Sequence, residues 1–195
     1  ASVDSSSIDT YLVKQTRHHG NGDNLIHFQD VSVNMGLFAD MDKMYSVVKH
    51  YVDTKHFKQQ YVPYPEGFVQ GKCTTNKAAG WNPNVMPGWN VDWTTSAFRS
   101  IAGAEAGAVC DEWVTHPVLV VQRDTFANFF HDSEDFVNAF LALAILEWKL
   151  GDTQMYLTDL YPEGPFWEMW RQAFSQGSDK PVRTAWDLKN DFGAN

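Results

Sequence analysis

Only two cysteines, Cys73 and Cys110, occur in 195 residues, and they do not form a C-x-x-C pair. This scarcity excludes a disulfide-dense scaffold and speaks against a zinc knuckle. It leaves open one disulfide in an oxidising compartment or two buried thiols in the cytosol. No apolar run reaches the roughly 18 residues that a transmembrane helix needs. Cations are also short, with 15 Lys and Arg against 24 Asp and Glu, a net charge of −9. Nucleic acid and anionic membrane surfaces both require clustered cations, so neither is an expected partner. An anionic small molecule remains compatible, because a local site can oppose the global charge. The chain has no N-x-[ST] sequon, no G-x-S-x-G elbow and no G-x-G-x-x-G turn. "GFVQGK" has the wrong spacing for a phosphate loop.

Apolar residues make up 44% of the chain and charged residues 20%. That composition belongs to a globular chain, long enough for one domain with a core or for one domain plus an extension. Eight Trp, seven Tyr and thirteen Phe are many for this length. Aromatic faces stack on sugars and bases, yet most aromatics build cores. The start, "ASVDSSSIDTYL", is polar and lacks both an initiator Met and a hydrophobic signal region. It reads as a mature or trimmed start, compatible with removal of an upstream signal or anchor.

Along the chain, "NLIHFQDVSV" alternates and predicts a strand over residues 25–33. "MDKMYSVVKHYV" (41–52) has helical spacing, with Met44, Val47, Val48 and Tyr51 on one side. Residues 61–93 read as loop, with turn signals in "YVPYPEGF", "NPN" and "MPGWN". "TTSAFRSIAGAEAGAVC" is a helix candidate interrupted by glycine. His18, His19 and His27 are possible metal ligands, although "HHGNGDN" reads as a flexible loop. From Pro117 onward the pattern sharpens. "PVLVV" suits a buried strand, Phe126 to Lys149 has helical period, and "QMYLTDL" (154–160) is a second strand. "GPFWEMWRQAFSQG" (164–177) is a helix ended by Gly177, and "PVRTAWDL" a third strand. Strand, helix, strand, helix, strand implies right-handed crossovers on a parallel sheet, half of a Rossmann-like domain. The chain stops at Asn195, where such a sheet calls for more strands.

The stretch "RDTFANFFHDSEDFVNAFLAL" carries the chemistry. At about 100° per residue, His131, Asp132, Asp135 and Asn138 all fall within about 80° of Asn128. Phe126, Phe129, Phe130, Val137, Phe140, Ala144 and Trp148 fall mostly on the other side and are expected to pack on the sheet. The polar stripe opens the helix that follows a strand ending at Val121. In open α/β sheets, ligands bind outside the carboxyl ends of strands, and helix N-termini favour anions. Arg123 and Asn128 would then stand where a phosphate or sugar sits. Asp132, Glu134 and Asp135 are acids of the kind that take a proton from an acceptor hydroxyl. A structural reading stands beside this one. First-turn acids stabilise any helix through its dipole, Asp124 or Thr125 is a ready N-cap, and His131 is a plausible surface histidine. Asp159 and Glu163, in "YLTDLYPEG", read as capping and turn residues.

The pattern R-x-x-x-A-N-x-F-H-x-x-x-D, carried by Arg123, Ala127, Asn128, Phe130, His131 and Asp135, resembles the signature of glycosyltransferase family 61. That family includes plant β-1,2-xylosyltransferases of N-glycans, arabinoxylan xylosyl- and arabinosyltransferases, and animal O-linked N-acetylglucosaminyltransferases. "IHFQDVSV", "GFVQGKC", "HPVLVVQRD" and "MYLTDL" resemble further segments of it, so the likeness covers most of residues 25–188. The resemblance implies a GT-B-type enzyme of two facing Rossmann-like lobes in the ER or Golgi lumen. It implies inverting transfer from a nucleotide sugar, commonly UDP-linked, to a glycan or glycoprotein acceptor. His131 or Asp135 would be the base or acceptor-positioning group, and Arg123, Asn128 and Asp132 would bind substrate or hold the loop. A Cys73–Cys110 disulfide would follow, and no metal ligand set is implied. The family's second lobe, which carries most nucleotide contacts, has no counterpart here.

The expected architecture is therefore α/β. An irregular N-terminal extension (1–60) with a strand and a helix precedes the Rossmann-like N-terminal lobe of a glycosyltransferase (61–195). Two functions fit: a lumenal glycosyltransferase present as its first lobe, or a non-catalytic binding or assembly subunit that holds a partner on an aromatic-rich surface. Other protein subunits or a C-terminal lobe are the implied partners. A small Rossmann-like hydrolase or oxidoreductase would lack any nucleophile or dinucleotide motif.

Overall fold

The computed structural model describes residues 6–13, 23–34, 69–70, 73–76, 113–123, 126–159, 161, 163–175 and 178–187. The chain forms two compact units, one of Ala1–Leu37 with Pro63–Trp113 and one of Phe38–Val62 with Val114–Asn195. The helices expected over 41–52 and 94–110 lie outside the described residues.

The first unit holds strands β1 (Ser6–Val13), β2 (Asp23–Gln29), β3 (Ser32–Val33), β4 (Val69–Gln70) and β5 (Cys73–Asn76). β1 is central, antiparallel to β2 and parallel to β5, while β3 and β4 form a separate antiparallel ribbon. Two expectations are corrected here, and one strand is added. The single strand over 25–33 is broken at Asp30, whose φ of 53° is left-handed. Aspartate tolerates that conformation because its short side chain bonds locally to the backbone. The stretch 61–93, read as loop, contains β4 and β5. The polar start contains β1, where Ile8, Thr10, Tyr11 and Val13 supply strand propensity despite the serines around them.

The second unit runs β6 (Val118–Val121), α1 (Phe129–Ile145), a 3-10 turn (Leu150–Asp152), β7 (Gln154–Leu157), α2 (Trp167–Ser175) and β8 (Arg183–Thr184). All three strands are parallel in the order β6-β7-β8. Val118–Val121 lies opposite Gln154–Leu157, and Tyr156 and Leu157 lie opposite Arg183 and Thr184. Both steps run the same way across the sheet, and crossovers of one hand put α1 and α2 on the same face. Their rings meet accordingly: Phe136 lies 5.2 Å from Trp170 and 5.4 Å from Phe174, and Phe140 lies 4.8 Å from Phe174. Leu119, Ala139, Leu143, Met155, Leu157, Trp170, Phe174, Val182 and Ala185 form the core. β7 is buried along its whole length. β6 is buried on one face only, since Val120 is exposed. That corrects the reading of "PVLVV" as a buried strand; among the described strands β6 stands at the edge of its sheet.

α1 is shorter than its apolar period suggests. Asn128, not Asp124 or Thr125, is the N-cap, and its side-chain oxygen accepts a hydrogen bond from the Phe130 N–H at 3.1 Å. At the other end Glu147 takes φ 55°, the Glu147 N–H donates to the Ala144 carbonyl, and the Trp148 N–H donates to the Leu143 carbonyl. This is a Schellman stop with glutamate where glycine is usual, and it ends the helix at Ile145 rather than Lys149. β8 also stops early. Asp187 accepts from the Thr184 N–H at 2.7 Å while the Thr184 hydroxyl accepts from the Asp187 N–H at 3.3 Å. That reciprocal box starts a helical turn at Ala185 and cuts the third strand to two residues.

Candidate functional site

The carboxyl edge of the parallel sheet is built around Arg123 and Asp159. Arg123 stands two residues past β6 and Asp159 two past β7. Since Val121 lies opposite Leu157, the two charges come out side by side. The Thr158 N–H donates to the Val121 carbonyl at 2.9 Å and extends the ladder between them. Both charged residues are only 2% exposed. Arg123 Nε donates to Asp159 Oδ2 at 3.0 Å and Nη2 to Oδ1 at 2.8 Å, a two-pronged pair that fixes the planes of both groups. The Arg123 backbone N–H donates to Oδ2 as well, at 3.0 Å. Nη1 donates to the Glu163 carbonyl and Nη2 to the Tyr161 carbonyl, so the guanidinium ties the β6 end to the whole β7–α2 loop. Asp159 Oδ1 accepts the Tyr161 N–H at 3.1 Å, which closes a tight turn. Burial alone lowers the pKa of the guanidinium. Asp159, with smaller contributions from Asp132 and Asp135, outweighs it and raises the pKa above the ordinary value.

Phe126 anchors the β6–α1 loop. Its ring lies 5.2 Å from that of Tyr161, and it packs on Gly164, whose φ is 76°. A Cβ at Gly164 would meet the Phe126 carbonyl oxygen at 2.6 Å, so only glycine fits there.

Asp132 lies in the first turn of α1 with no exposed surface. Trp170 Nε1 donates to its two oxygens at 3.2 and 3.1 Å, one N–H shared by a whole carboxylate. Burial raises the Asp132 pKa, and the nearby Asp159 charge adds to that. The Trp170 hydrogen bond and the Arg123 charge oppose it without cancelling it.

The orientation of α1 differs from the expected one. Phe129, Phe130 and Val137 are exposed at 62%, 59% and 54%, while Asp132, Ala139, Ala142 and Leu143 are buried. The apolar residues expected to pack on the sheet thus lie largely outside, and the polar stripe borders the inward face. The reason is local. Ala139 and Ala142 let the helix approach closely, and the Trp170 indole supplies the donor that makes an inward carboxylate tolerable. His131 and Asp135 are half-buried. His131 Nδ1 lies 4.0 Å from Glu134 Oε2, and the ring meets that of Phe130 edge-on. Asn138 is half-buried too, and Asn128 is exposed at the cap.

The structure thus gathers Arg123, Asp132, Asp159 and Trp170 into one buried group beside the first turn of α1, and His131 and Asp135 lie on the adjoining positions of that helix. Asp159 and Trp170 are the additions. Their signals were the equal offset of Arg123 and Asp159 from two strand ends, and the single polar atom on a tryptophan in an otherwise apolar helix face. In the first unit, His27 lies across the β1–β2 pair from Asp9, 3.9 Å from its carboxylate. Burial, opposed by Asp9, lowers the His27 pKa. No group of three or more potential metal ligands occurs among the described residues. His18, His19 and Cys110 lie outside those residues, as does the side chain of Cys73, so the expected disulfide lies there too. No helix among the described residues is long and apolar enough to cross a membrane.

No family model, curated protein or solved structure matches this chain.

Proposed function

We propose that this chain is the Rossmann-like N-terminal lobe of an inverting, GT-B-type glycosyltransferase similar to family 61. It would move xylose or N-acetylglucosamine from a nucleotide sugar, UDP-linked, to a hydroxyl of a glycan or glycoprotein in the ER or Golgi lumen. One observation supports this most: every residue of the R-x-x-x-A-N-x-F-H-x-x-x-D pattern lies between the carboxyl end of β6 and the first two turns of α1. That is where open α/β sheets receive ligands.

In this reading Arg123 holds the loop, since its donors are spent on Asp159 and on two carbonyls. Asn128 fixes the start of α1. Asp132 anchors the same turn from within rather than touching sugar. His131 or Asp135 takes the proton of the acceptor hydroxyl as its oxygen attacks the anomeric carbon opposite the leaving diphosphate. A carboxylate near the oxocarbenium-like transition state also offsets its developing positive charge. The facing lobe would supply most donor contacts.

The alternative is a non-catalytic binding or assembly subunit. The exposed Phe129, Phe130, Val137 and Leu141 on one helix favour it, because large apolar groups gathered at the surface mark contact sites. A transfer assay separates the two. The full reading frame is incubated with UDP-xylose or UDP-N-acetylglucosamine and a panel of glycan acceptors. Glycosylated product supports the enzyme reading. A folded protein that binds glycoprotein without turnover supports the subunit reading.

A further inference from the structure

We propose that Asp132 is a proton-dependent latch between α1 and α2, closing the helix pair when its carboxyl group is protonated and loosening it when charged. The inference does not rest on glycosyl transfer and stands or falls by itself.

The geometry carries it. Asp132 has no exposed surface, so water does not solvate its charge. A buried carboxylate normally needs two or three donors or a direct cation, and among the described residues this one has a single indole N–H divided between both oxygens. Among the described residues the cation whose charge bears on Asp132 is Arg123, and that charge is already matched by Asp159 at 2.8 Å. Asp135, on the same helix, adds negative charge to that neighbourhood. His131 sits next along the helix, its Nδ1 4.0 Å from Glu134. From α2 only the Trp170 indole reaches Asp132, because Glu168 and Arg171 pair with each other in solvent. Among the described residues, then, no cation is left to match the Asp132 charge. Removing it by protonation relieves a desolvation penalty that falls on the α1–α2 contact. Burial accordingly holds its carboxyl group above the ordinary aspartate value.

The sign follows. A carboxyl group that holds its proton in the folded state, at a pH where the unfolded chain has released it, favours folding as pH falls. The penalty is absent below the unfolded value and grows as pH rises through the folded one. Asp132 stands between His131 and Asp135 in the first two turns of α1, so the state of one buried acid reaches both.

The test uses the full chain with 15N-labelled tryptophan. The Trp170 indole signal, assigned by its loss in Trp170→Phe, is followed between about pH 4 and pH 8. The expected result is a titration of that signal with a midpoint above the ordinary aspartate range. A midpoint at or below that range, or no titration, overturns the proposal. Thermal unfolding of wild type and Asp132→Asn over the same range gives an independent readout. The melting temperature of wild type relative to the variant should fall by about 3 °C or more from the acid to the neutral end. A pH-independent difference overturns the proposal. The indole titration is made on wild type, so it decides the matter even if Asp132→Asn does not fold.

Discussion

At the residue scale, the Arg123–Asp159 pair is the feature with the largest expected effect. Removing one partner leaves the other charge buried alone, which costs far more than the intact pair contributes. Arg123→Ala is expected to destabilise the second unit by about 3–5 kcal/mol in urea unfolding. Arg123→Lys should recover only part of that loss, because an ammonium cannot make the two-pronged contact. Gly164→Ala should cost about 1–3 kcal/mol, since it combines a left-handed φ with a close approach to Phe126. Equal stability of the glycine and alanine forms in the same unfolding measurement would contradict that packing. Much of this scale was legible beforehand. Arg123, Asn128, His131, Asp132 and Asp135 all stand out as polar groups in one short stretch. The partner of Arg123 did not, because opposing strand ends meet only through the register. Nor did the inward turn of Asp132, because helical geometry shows which residues share a face but not which face is buried.

At the element scale, α1 and α2 are set by their ends and by one shared seam. Glu147 occupies a left-handed position that favours glycine. Glu147→Gly is therefore expected to stabilise by about 0.5–1 kcal/mol, which thermal unfolding would show as a rise of about 2–4 °C. Most substitutions destabilise, so an increase there would be specific evidence for the Schellman stop. Trp170→Ala should cost about 3–5 kcal/mol, because it removes a fully buried ring from a seam of Phe136, Phe140 and Phe174. The alternation of strands and helices after Pro117 was readable from period and turn signals, since β7 and both helices carry strong patterns. The limits of α1, β8 and β2 were not. Each is set by a cap or a single left-handed residue, which overrides a hydrophobic period that runs past it.

At the scale of the whole molecule, the acidic balance of −9 speaks against a polyanion bound over a wide surface. In the proposed function the substrate is instead a neutral hydroxyl or an anion held locally, beside the buried cluster at the strand ends. The central claim is that the first two turns of α1 do the chemistry on an acceptor hydroxyl. The most direct measurement is sugar transfer from a UDP-linked donor by the full reading frame, with His131→Ala and Asp135→Ala compared singly against wild type. A loss of at least about tenfold in turnover, with the fold intact, is predicted for the residue acting as base. Unchanged turnover in both correctly folded variants would contradict the account.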